Sequence, residues 1–64
     1  MINERMADQL AKMLLKTNPE PEFDIALGGE RASVDNVAAA LQRHGCSVEL
    51  HNLYLHIVRM NPDQ

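Results

Sequence analysis

The stretch Gly45-Cys46-Ser47-Val48-Glu49-Leu50-His51-Asn52-Leu53-Tyr54-Leu55-His56-Ile57-Val58 decides how this chain is built. Folded back at His51-Asn52, it sets Leu50 against Leu53, Val48 against Leu55 and Cys46 against Ile57. Side chains alternate along a strand, so all six fall on one face of a two-stranded ribbon. The other face receives Ser47, Glu49, Tyr54, His56 and Val58, most of them polar. Asn52 tolerates the positive φ of a two-residue hairpin turn. His51 ahead of it is less usual than the Asn-Gly signal, which leaves the turn free to shift by a residue. A helix is the rival reading, because Leu50, Leu53, Tyr54, Ile57 and Val58 also recur at helical spacing after Ser47. Val48 and Leu55 fall off that stripe, whereas the ribbon places Val48, Leu50, Leu53, Leu55 and Ile57 without exception.

A ribbon with one dry face needs a layer to cover it, and the residues upstream supply two helices. Residues 4–16 carry Met6, Leu10, Met13 and Leu14 at three- and four-residue spacing, with Ile2 ahead and Ala7, Ala11 and Leu15 widening the stripe. Asn3 suits the N-cap, Asp8 and Lys12 form an i, i+4 pair, and Pro19 ends the helix near Asn18. The second helix is expected over 33–44, capped by Ser33 with Asp35 in its first turn. Its buried stripe is Val34, Val37, Ala38 and Leu41, and Gly45 closes it in the left-handed conformation. Between the helices, Phe23-Asp24-Ile25-Ala26-Leu27 alternates as a strand, and Gly28-Gly29 ends it in a turn.

The order is therefore α-β-α-β-β. It predicts one small α+β domain spanning residues 1–64, with a three-stranded sheet, two helices on one face, a C-terminal hairpin and a tail at 61–64. The first strand pairs either in parallel with the second or antiparallel with the third, and periodicity does not choose between them. Either way the sheet has two open edges.

Sixty-four residues make a small core. Such a core rarely supplies more than about 3–5 kcal/mol without a disulfide, a metal or a partner subunit. Cys46 is the one cysteine, so an internal disulfide is excluded and self-association becomes the expected helper. There is no charged-then-apolar leader and no run of about 18 apolar residues, so the cytoplasm is the expected compartment, with no membrane partner. Nine acids against six bases leave a net charge of −3, an unpromising footprint for a free-standing nucleic-acid binder. Glu20, Glu22, Asp24 and Glu30 crowd a stretch without a base, whereas the first helix is slightly basic.

Four arrangements could carry chemistry. His44, Cys46, His51 and His56 are metal-ligand types, but the hairpin sends Cys46 to the dry face, His56 to the wet one and His51 to the turn, so no metal or other cofactor is expected. Gly28 to Ser33 lies where phosphate loops lie, with Arg31 as a candidate anion contact, but it lacks both the Gly-x-Gly-x-x-Gly and the Gly-Lys-Ser patterns. Ser33 and Asp35 lack a nucleophile elbow, and no enzyme activity is expected. A DNA-binding regulator would read bases with Asn36, Gln42 and Arg43 on helix 33–44. The winged-helix order, however, needs two helices between first strand and wing, and Ser33–Gly45 has room for one.

The remaining reading is a non-catalytic, homodimeric module that regulates or inhibits another protein. Its small size and acidity suit an accessory protein of a phage or plasmid. Its expected contacts are Glu20, Glu22 and Asp24 in the acidic stretch and Glu49, Tyr54, His56 and Arg59 on the wet face of the hairpin, with Tyr54 as an exposed anchor. Four methionines in so short a chain also allow the first helix to be partly exposed and to pack against a partner.

Overall fold

The computed structural model describes residues 2–52 and 54–60. The expected tail at 61–64 lies outside them. Helix α1 spans Glu4–Thr17, strand β1 Glu22–Ile25, helix α2 Arg31–Arg43, strand β2 Cys46–Leu50 and strand β3 Leu55–Arg59. The fold is α+β in the expected order. The sheet order is β1-β3-β2, and β3 runs antiparallel to both neighbours. β1 and β2 are therefore parallel to each other but separated by β3. Of the two candidate pairings for the first strand, the antiparallel one with the third is the one adopted. β3 takes the centre because it carries Leu55 and Ile57, whose side chains are buried almost completely against the helices.

Register sorts the sheet into two faces. Phe23 pairs with Ile57 and Ile25 with Leu55, while Val48 pairs with Ile57 and Leu50 with Leu55. Opposite residues point to the same side of a sheet. These apolar side chains, with Cys46, therefore face the helices. The core joins Leu55, Ile57 and Cys46 to Ala7 and Ala11 of α1 and to Val37, Ala40 and Leu41 of α2. Glu22, Asp24, Ser47, Glu49, His56 and Val58 point the other way, to a face that neither helix covers.

The hairpin turn differs from the two-residue form. Leu50 pairs with Leu55, His51 N–H donates to the Tyr54 carbonyl, and residues 51–54 form the connection. The expected Leu50–Leu53 facing involves a residue outside those described. The partner of every β2 residue has moved by two. Because the side-chain period is also two, Cys46, Val48, Leu50, Leu55 and Ile57 stay on the dry face. β1 is shorter than expected and starts one residue earlier. Leu27 lies beyond its end yet still packs on the core.

Helix α1 starts at Asn3 as expected, whose side-chain oxygen accepts from the Met6 N–H at 2.8 Å. Its buried stripe is rotated from the expected one. Ala7 and Ala11 are fully buried, whereas Met6 and Met13 are 50% and 61% exposed. Small residues win the interface because they let α1 approach α2 closely. Helix α2 begins two residues before the expected cap. Glu30 occupies the N-cap without a side-chain bond, and Asp35 lies beyond the first turn and pairs with Arg31 at 3.1 Å. Ser33 is not a cap: its hydroxyl is buried and accepts from the Ile2 N–H at 3.0 Å. Asn36 donates to the Ile2 carbonyl, so two α2 side chains hold the start of α1. The helix closes as expected, with Gly45 at φ 86° donating to the Gln42 carbonyl.

Candidate functional site

The uncovered sheet face brings together four of the seven expected contact residues. Asp24, His56 and Glu49 form one row across β1, β3 and β2, and Glu22 stands next to Asp24 two residues back along β1. His56 is held between two carboxylates: Nδ1 lies 2.5 Å from Asp24 Oδ1 and Nε2 lies 2.6 Å from Glu22 Oε2. A neutral imidazole carries one N–H, so both contacts are hydrogen bonds only when the ring is protonated. The Asp24 hydrogen bond, with that of Glu22 behind it, accordingly raises the His56 pKa against a smaller opposing effect of burial. Glu49 is the most open of the acids and reaches His51 at 3.5 Å.

The charge of the molecule is polarised as a result. No lysine or arginine lies on the uncovered face, which carries Glu22, Asp24 and Glu49. The helices carry Arg5, Lys12, Lys16, Arg31 and Arg43 against Glu4, Asp8 and Asp35. Among the basic residues, Arg31 pairs with Asp35, and both Lys12 and Arg43 lie near Asp8. Asp8 also accepts from His44 Nε2 at 2.9 Å, and this hydrogen bond is the main reason its pKa is lowered.

Three expected contact residues lie elsewhere. Arg59 has the same parity as Leu55 and Ile57 and so faces the helices, not the wet side. Its Nε donates to the Glu20 carbonyl at 2.8 Å, while Nη2 donates to the carbonyls of Leu15, at 2.6 Å, and Asn18. Its guanidinium also lies over the Phe23 ring, 5.8 Å from the centroid. Arg59 is thus a clamp on the C-terminal end of α1, where orphan carbonyls and the negative end of the helix dipole both favour a cation. Tyr54 sits in the hairpin connection instead of on the strand face. Its ring stacks on His51 at 4.6 Å between centroids, and its residue is 40% exposed. Glu20 is exposed in the α1–β1 loop, and its contribution to the clamp is its backbone carbonyl.

The other candidate arrangements are dispersed. His44 is paired with Asp8, His51 is stacked on Tyr54, His56 lies on the open face and Cys46 is buried on the opposite one. Among the described residues, no three His, Cys, Asp or Glu side chains are placed to hold a metal. Burial pushes the Cys46 thiol up, away from the reactive thiolate. A cleft of about 370 Å³ opens between the Gly28-Gly29 turn, the start of α2 and the hairpin connection. Arg31 lines it with its charge already met by Asp35, and the Ser33 hydroxyl is committed to Ile2. Of the three α2 residues considered for DNA, Asn36 is bonded to Ile2 and Arg43 lies 3.9 Å from Asp8, which leaves Gln42 unengaged among the described residues.

No described helix is long and apolar enough to cross a membrane. Compared with protein-family models, curated proteins and solved structures, the chain matches none.

Proposed function

We propose that this chain is a small, non-catalytic interaction module that regulates or inhibits another protein by docking the uncovered face of its sheet on a basic surface. The observation that supports it is the charge polarity: Glu22, Asp24 and Glu49 share a face without a lysine or arginine. Complementary fields of this kind steer association and set specificity. The small core argues that the module works as a homodimer, and its expected setting is the cytoplasm.

Copurification from the native host under nuclease treatment tests the proposal, using wild type and the neutralised variant Glu22→Gln/Asp24→Asn/Glu49→Gln. A stoichiometric protein partner should be retained by wild type and lost by the variant. The same partner held equally by both would remove the acidic face from the site. Recovery that depends on nucleic acid would replace this reading with DNA binding through α2.

A further inference from the structure

We propose that the free edge of β2 is the homodimer interface, pairing antiparallel with β2 of a second copy in a register centred on Val48. The alternation of the ladder carries this inference, independently of what the acidic face binds. Met60 N–H donates to the Gly45 carbonyl and His51 N–H donates to the Tyr54 carbonyl, one at each end of the β2–β3 ladder. Bonded and non-bonded pairs alternate in antiparallel strands. Ser47 and Glu49 therefore bond inward to Val58 and His56, while Cys46, Val48 and Leu50 turn their N–H and C=O groups outward. Among the described residues nothing accepts or donates to those groups. Beside them Leu50 is 41% exposed.

The two edges of the sheet are unequal. On β1 the bond from Arg59 N–H to the Pro21 carbonyl makes Pro21, Phe23 and Ile25 the inward residues and leaves Glu22 and Asp24 at the edge. Two-fold registers centred on Glu22, Phe23 or Asp24 all set carboxylate against carboxylate, which is destabilising. Proline and charge are the usual means of blunting an edge, and β2 has neither at its outward positions.

On β2 one register is self-complementary. Centred on Val48, it exchanges bonds between Val48 and Val48 of the second copy and between Cys46 and Leu50 in both directions, about six in all. The apolar side chains then meet on the helix side. On the open side Glu49 stands opposite Ser47, with the two Glu49 carboxylates offset diagonally. A register centred on Glu49 would oppose the two carboxylates directly, and one centred on Ser47 would leave Leu50 without a partner. Helix α2 packs over β2, and its flank turned away from Ser33, Asn36 and Arg43 carries Ala38 and Gln42 together with Val34, which packs on the core, and Arg31, which pairs with Asp35. The product is a continuous six-stranded sheet whose two acidic faces join into one.

Sedimentation equilibrium of wild type, together with oxidative cross-linking of Ser47→Cys and Glu49→Cys chains, tests the register. Wild type should be dimeric. Cross-links should form when the two variant proteins are mixed and should not form above the wild-type level in either alone. Leu50→Lys, at an exposed position, should keep the far-ultraviolet circular dichroism of the fold and shift the equilibrium to monomer. A wild type that is monomeric at every concentration would overturn the proposal. So would either cysteine variant cross-linking to itself as well as the mixture does.

Discussion

His56 and Arg59 are three residues apart on one strand and perform opposite tasks because their parity differs. His56 faces out and is charged by its neighbours. Its pKa is raised on folding, so its contribution to stability is complete below about pH 6.5, the ordinary histidine value, and fades as pH climbs through the higher folded value. Asp8, lowered chiefly by the hydrogen bond from His44, works in the other direction. Its contribution is present above about pH 4 and is lost as pH falls through the lower folded value. Stability should therefore peak between these limits, and His56→Gln should flatten the alkaline side of a denaturation-midpoint profile while leaving the acid side in place. Loss of the His56 proton also leaves the open face one unit more negative, so affinity for a basic partner should rise through the same titration. Arg59→Ala, by contrast, strips three carbonyls of their donor and should cost about 1.5–3 kcal/mol in urea denaturation. Arg59→Lys should recover part of that loss, because an ammonium lacks the planar fork. The expected wet-face place of Arg59 ran against parity, since Arg59 continues the series Leu55, Ile57. What it holds was not legible, because the carbonyls of Leu15, Asn18 and Glu20 are about forty residues away in sequence.

At the scale of elements, the hairpin shows which errors a periodic pattern tolerates. Its turn lengthened from two residues to four, and an even shift left Val48, Leu50, Leu55 and Ile57 on the core face. A shift of one would have exchanged the faces. Helix α1 shows the converse. Its heavier stripe, through Met6 and Met13, is the exposed one, because the distance between α1 and α2 is set by alanines. Ala11→Leu should consequently destabilise by about 1–3 kcal/mol through overpacking. Met13→Ala should stay within about 0.5 kcal/mol, the usual range for a surface change. Chemical denaturation of both variants checks the pair, and the reverse ranking would mean that the helix is turned the other way. Ser33 shows a similar override. A hydroxyl well suited to capping α2 is used to satisfy the Ile2 N–H, so Glu30 begins the helix without a side-chain bond.

For the whole molecule, two helices cover one face of a three-stranded sheet and leave the other to water. Among the described residues the buried core side chains larger than alanine are Val37, Leu41, Cys46, Leu55 and Ile57, a core for which only a few kcal/mol is expected. In the proposed dimer, association is part of stability. The thermal midpoint of wild type should rise with protein concentration, and that of Leu50→Lys should not. Differential scanning at widely spaced concentrations distinguishes the two.

Local and periodic properties were determined by the sequence alone. These are the caps at Asn3 and Gly45, the alternation of β1, β2 and β3, the dry-face places of Cys46, Val48, Leu50, Leu55 and Ile57, and the order of elements. Each depends on neighbours within a few residues, where spacing and backbone preference act directly. The pairing of β1 with β3, the choice of Ala7 and Ala11 over Met6 and Met13, the clamp of Arg59 and the gathering of Glu22, Asp24, His56 and Glu49 were decided only by the tertiary structure. These depend on groups tens of residues apart meeting in one register, and periodicity along a single segment carries no information about which segment lies beside it.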